Sequence, residues 1–229
     1  MSFLPRPELG LEVVGIVCVH RVGTGAHTHS GHFMPGSPAA RLSISYVIIK
    51  YAEDQLHRAA ACGDLKAVRK WLKAGADPAD RDNAALRRAL RHGHAEVVRL
   101  LIKAGAEFTE NTHEFLKLAA ENEDGRNLKI LLRAAKTAVP QQILNQTLFA
   151  ATIAANAPGV SLLIAAGADP RAQGSLPALL AASAGSVGVL KILHGHGVSF
   201  DHPDAQVLYN AVAGGHLDAS KYIKNGRKC

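Results

Sequence analysis

Apolar residues recur along this chain at a spacing too regular for a single globular core. Leu56, Leu86, Leu116, Leu148 and Leu208 fall at matching positions, with Ala178 in the fifth slot, at intervals of 30, 30, 32, 30 and 30 residues. A fixed period in this range predicts an array of stacked supersecondary units, each unable to bury its apolar face alone. The register extends beyond the leading residue. Gly63 stands seven residues after Leu56, and Gly75-Ala76-Asp77 closes that unit. The second unit has Gly93 and Gly105-Ala106-Glu107, the fourth ends in Gly167-Ala168-Asp169, and the fifth holds Gly185 and Gly197. Apolar residues at helical spacing fill the second half of each unit: Val68, Trp71 and Leu72, then Val98, Leu101 and Ile102, then Leu128, Leu131 and Leu132. Val160, Leu163 and Ile164 continue the series, followed by Leu190 and Leu193. Each unit reads as a short helix, a glycine turn, a second helix and a glycine C-cap. The expected fold is an all-α solenoid of about six helix pairs over residues 51–229, with units starting near 54, 84, 114, 146, 176 and 206.

The stretches LHRAAACGDLKAVRKWLKAGAD (56–77) and LRRALRHGHAEVVRLLIKAGAE (86–107) carry a family resemblance, supported by VSLLIAAGADP (160–170) and AVAGGHLDASKYIKNG (211–226). They resemble ankyrin repeats. The resemblance implies a non-enzymatic scaffold for protein–protein interaction, with no cofactor. It implies that His57, the family's helix-start histidine, hydrogen-bonds turn backbone between repeats. It also implies a structural role for the residue after each turn glycine, here Asp64, His94 and His216. The departures are informative. Of the family's Thr-Pro-Leu-His opening, only His57 and Pro177 remain, and the histidine slot otherwise holds Arg87, Lys117, Phe149, Leu179 and Tyr209. The period is about three residues short of the usual ~33. The deficit lies between Asp77 and Leu86, where the family places its β-hairpin finger, so these fingers are too short for a formed hairpin. The chain is similar in this to the short-fingered arrays of some viral and bacterial proteins. Unit three lacks its C-cap glycine, with Ala135 in its place, and residues 134–142 add two positions around Pro140. That is either a loop insertion or a kink dividing the array, and Pro140 must lie outside a helix or end one.

The formal charge of +7 divides as +2 over residues 1–50, +3 over 51–139 and +2 over 140–229. Nucleic-acid binders concentrate basic residues on one face. The one local cluster in the sequence is Arg87, Arg88, Arg91 and His92, and Asp80, Asp82 and Glu96 surround it. A solvated face is the first reading of that cluster, and phosphate or nucleic-acid binding the alternative. Three cysteines, Cys18, Cys62 and Cys229, form no motif, which points to a reducing compartment. The apolar run Val13–Val19 is broken by Gly15 and is too short to span a membrane. Following Glu8 and Glu12, it also makes a poor signal peptide. The expectation is a monomeric cytoplasmic protein with no membrane partner, although export into a host by a dedicated secretion machine would leave no trace here.

Residues 1–50 do not match the repeats. LEVVGIVCVHRV (11–22) and LSISYVIIKY (42–51) have strand character, and GTGAHTHSGHFMPGSPAA (23–40) reads as loop. Either the two runs pair as a small hairpin capping the array, or the segment is poorly ordered. His27, His29 and His32, with His20 upstream, could hold zinc or copper, but no cysteine or carboxylate ligands stand near them.

No nucleophile elbow, phosphate loop, H-E-x-x-H or paired C-x-x-C appears. The expected binding face is the concave one, lined at the second, fifth and sixth positions after each leading residue. Its named members are Arg58, Arg88, Arg91, His92, Leu118, Glu121, Asn122, Ile153, Leu180 and Asn210, running from cationic to apolar. Lys103 is placed on the opposite, convex face. Units one and six are expected to be caps, the last made polar by Lys221, Lys224, Arg227 and Lys228.

Overall fold

The computed structural model of the chain describes residues 38–107, 111–122, 124–135, 139–200 and 206–226, with side chains from residue 46 onward. The chain divides into two units, residues 1–52 and 53–229, and the repeats make up the second. Among the described residues there are twelve helices and no strand. In order they are α1 (Pro38–Cys62), α2 (Leu65–Lys73), α3 (Asp80–Arg91), α4 (Ala95–Lys103), α5 (Thr112–Ala120) and α6 (Arg126–Ala134). Then come α7 (Gln141–Ile153), α8 (Ala157–Ala165), α9 (Ala172–Ser183), α10 (Val187–Gly195), α11 (Gln206–Ala213) and α12 (Leu217–Gly226). A turn in which Asp64 N donates to the Ala59 carbonyl joins the end of α1 to α2, and the ten helices that follow form five pairs, at the spacing the period predicts.

Two rows of helices result. The first helices α3, α5, α7, α9 and α11 pack in sequence, and the second helices α2, α4, α6, α8, α10 and α12 pack in a parallel row. The leading residue and the positions three and four after it are buried in each of the first five units. They are Leu56, Ala59 and Ala60, then Leu86, Ala89 and Leu90, then Leu116, Ala119 and Ala120. Leu148, Ala151 and Thr152 follow, and then Ala178, Ala181 and Ala182. Alternating Leu and Ala lets first helices approach closely. On the second row Val68, Val98, Leu101, Leu128, Leu131, Val160, Leu163, Leu190 and Leu193 are fully buried.

In units one, two, three and five the turn between the two helices is latched by a side chain of the unit that follows. His94 Nε2 lies 2.9 Å from the Ala61 carbonyl, and His216 Nε2 lies 2.8 Å from that of Ser183. A carbonyl can only accept, so Nε2 carries the proton in both rings. The ring of His94 lies where a Cβ on Gly63 would stand, and Gly63 has φ +74, so only glycine serves at that turn. Asn156 fills the same slot in unit four. Its amide donates to the Ala120 carbonyl at 3.0 Å and the Asn122 carbonyl at 2.5 Å, and its oxygen accepts from Gly159 N at 2.7 Å. Asp64 instead caps its own helix, accepting from Lys66 N and Ala67 N.

Between repeats, no hairpin forms among the described residues. Asp77 and Asp169 each accept a backbone N–H two residues on, at 2.9 and 2.8 Å, and turn the chain. Arg81, Asp82 and Asn83 then take left-handed backbone angles, as do Gln173, Gly174 and Ser175 in the equivalent place. A three-residue left-handed turn therefore stands where a longer finger would be.

Two expectations change, and the choice left open at 134–142 falls to the loop insertion. The run 42–51 lies inside the 25-residue helix α1 rather than in a strand. It contains no glycine or proline to stop a helix propagating from 53–62, and its β-branched residues cost only a few tenths of a kcal/mol each there. Residues 11–22 lie outside the described region. The irregularity at 134–142 does not divide the array, because α5 packs on α7 and α6 on α8 across it. Helix α6 stops at Ala134, and Pro140 sits just before α7 as its N-cap residue, outside both helices. Lastly, the sixth unit is not polar throughout. Tyr209, Val212 and Leu217 are 70%, 60% and 72% exposed beside Lys221 and Lys224. Val212 holds the slot that Ala60, Leu90, Ala120, Thr152 and Ala182 bury in the other units.

Candidate functional site

The first-helix row leaves one set of positions open to solvent. Arg58, Arg88, Arg91, His92 and Glu121 are exposed, and Ile153 is 62% exposed although apolar. Leu118, Asn122, Leu180 and Asn210 are half-buried. None of the ten is in the core, because they sit two, five or six residues after the leading residue of a unit. Arg88 and Arg91 share a face of α3, and the His92 ring stacks at 6.1 Å from that of His94. The face grades from cationic in units one and two to apolar in units four and five. Asn122 is engaged within the array: its amide donates to the Leu90 carbonyl at 2.8 Å and the Leu118 carbonyl at 3.0 Å.

The Arg87 side chain is also committed. Its Nε donates to Glu114 Oε1 at 2.8 Å and its terminal nitrogen to Asp82 Oδ2 at 3.1 Å, while Asn111 donates to the other Asp82 oxygen at 2.8 Å. Hydrogen bonding to Glu114 raises the guanidinium's pKa further. This network ties unit two to unit three and removes Arg87 from the cluster available to a phosphate.

His57 is buried, and its Nε2 faces Asp80 Oδ2 across the repeat boundary at 3.6 Å. Its neighbour there is thus a side chain, while the backbone contacts implied for it are made by His94 and His216. Burial lowers its pKa, with Asp80 opposing and Arg88 and Arg81 adding to the fall. Cys62 is exposed, and the cluster of His20, His27, His29 and His32 lies outside the described residues, as do Cys18 and Cys229. Among the described residues no group of three or more His, Cys, Asp or Glu could hold a metal ion. None of the helices among them is long and apolar enough to cross a membrane.

A feature the sequence reading missed lies on the other row. The second helices α4 and α6 enclose a cavity of about 630 Å³ lined by Arg99, Lys103, Arg126, Lys129 and Arg133 over Ile102 and Ile130. Lys103, expected on the convex face, is one of its walls. The signal was present as basic residues three or four apart in two successive second helices. It was masked because those residues are 23 or more apart between units, and regional net charge averages them with acids elsewhere.

Comparison with known proteins agrees with the helix pairs. Residues 56–141 match the family model described as ankyrin repeats (3 copies). The solved human ASB11 ankyrin repeat domain is similar at TM-score 0.64 and 20% identity, covering 75% of this chain and 82% of that one. The ankyrin repeat domain of Bcl-3, described as a unique member of the IkappaB protein family, is similar at TM-score 0.56 and 24% identity, covering 75% and 85%. No curated protein matches the chain. Residues 56–141 therefore match ankyrin repeats, and the helix pairs of the chain share the fold of solved ankyrin repeat domains.

Proposed function

We propose that the array is a non-enzymatic scaffold that binds a protein partner through the concave, first-helix face, acting as a monomer in the cytoplasm. Ankyrin repeat domains are in general protein–protein interaction modules. The observation that carries the reading is the graded, solvent-open face, with Arg58, Arg88 and Arg91 at one end and Ile153 and Leu180 at the other. Buried core beneath and latched turns between fix these side chains on rigid elements, so little ordering cost is left to binding. A partner with an acidic patch beside an apolar ridge complements it.

The test is to capture partners with the full chain, identify them by mass spectrometry, and measure each one's affinity for Arg88→Glu/Arg91→Glu. Two exposed charges reversed should weaken a true partner roughly tenfold, less at high salt. Lys191→Glu, exposed on α10, is the comparison. Equal losses in both variants, or none in either, would remove this face from the proposal.

A further inference from the structure

We infer that the groove between α4 and α6 is a second docking site, built for an acidic peptide segment that carries an apolar anchor residue. Five cations line the groove against one acid, Glu96. Arg99 lies 3.6 Å from Glu96 and Arg126 lies 2.7 Å from Asp124, so two of the five are neutralised locally. Lys103, Lys129 and Arg133 have no ion pair among the described residues. Three uncompensated cations around one concavity raise its potential and favour an anionic occupant.

The floor decides what kind of anion. Ile102 and Ile130 are half-buried, Ala134 is half-buried and Ala95 is buried, so the cationic rim surrounds apolar carbon. A phosphate backbone has nothing to place there, whereas a Leu or Phe flanked by Asp or Glu matches floor and rim together. The volume of about 630 Å³ lies within the range of side-chain and small-ligand sites. Helices α4 and α6 are nine residues each, about 13 Å long, enough for two turns of a docked helix or roughly four extended residues.

The cationic charge is densest in this part of the row, and α12 at its far end carries only Lys221 and Lys224 beside Asp218. Helix α2 adds Lys66, Arg69, Lys70 and Lys73 on the same row, while α8 has no charged residue and α10 only Lys191 beside His194. An acidic segment would therefore be steered to the first three units rather than to units four and five. This site is independent of the first-helix face: Arg88 and Arg91 are not among its lining residues.

Fluorescence anisotropy on the full chain tests it. The probes are a fluorescein-labelled peptide of Glu and Leu at helical spacing, its Gln-for-Glu and Ser-for-Leu counterparts, and a labelled oligo-dT. The Glu/Leu peptide should bind with an affinity that falls as salt rises, and both counterparts should bind at least about tenfold more weakly. Lys103→Glu/Lys129→Glu/Arg133→Glu should abolish the binding and the milder Gln triple variant should weaken it, with melting unchanged in the milder one. Arg88→Glu/Arg91→Glu should leave it as in the parent. Equal binding of the Gln or Ser peptide, an unaffected triple variant, or tighter binding of oligo-dT would overturn the inference.

Discussion

Asn127 is a polar side chain in an apolar slot. It is fully buried, and among the described residues neither its amide nitrogen nor its oxygen has a hydrogen-bond partner. Val97 and Val189 hold the equivalent place in units two and five, also buried. Asn127→Val should raise the stability of the array by about 1–3 kcal/mol, the usual cost of a buried unsatisfied amide. Urea unfolding at unchanged slope reads this, and a loss of stability would show that the amide is satisfied in solution. His57 gives a second residue-scale test. Burial holds its folded pKa below the ordinary 6.5, so the folded state resists protonation that the unfolded state accepts. Its contribution is fully present above pH 6.5 and is lost as pH falls through the folded pKa. Melting temperature should drop on acidification from pH 7.5 to 5, and His57→Gln should flatten that drop; parallel curves would exclude His57 as a source. His94 and His216 were legible as structural because each follows a turn glycine, and His57 because it holds the helix-start slot of the first unit. The solitary state of Asn127 was not, since a sequence shows the slot but not what lies across it.

Among the elements, α4 rests on Leu101, which is fully buried where the second helices meet. Leu101→Ala should cost about 2–5 kcal/mol by lost transfer and cavity formation. A change under about half a kcal/mol, ordinary for a surface site, would contradict the packing. The second helices were legible because their apolar residues recur at three and four. The helical state of 42–51 was not: β-branched residues suggest a strand, but a strand needs a partner, and nothing local stops α1 from running through. The left-handed turns at 81–83 and 173–175 were also hidden, because Arg81, Gln173 and Ser175 are residues that seldom adopt positive φ.

At the scale of the molecule, neighbouring repeats are the units of cooperation, so damage should stay local. Hydrogen exchange in Leu101→Ala should accelerate most in units one to three, with units five and six least affected. Uniform acceleration would indicate a single cooperative block. The period alone made the repeats legible from residue 51 onward. The division of charge between the two rows was not legible, because it emerges only when residues about thirty apart are brought side by side.

The latches run one way along the chain. His94 closes the turn of unit one, Asn122 and Asn156 reach back to carbonyls of units two and three, and His216 closes unit five. On a ribosome, then, a turn is finished not when its own residues emerge but when the next thirty or so have followed. Units one, two, three and five each pass through an interval of being made but not yet fastened, one repeat behind the growing end of the chain.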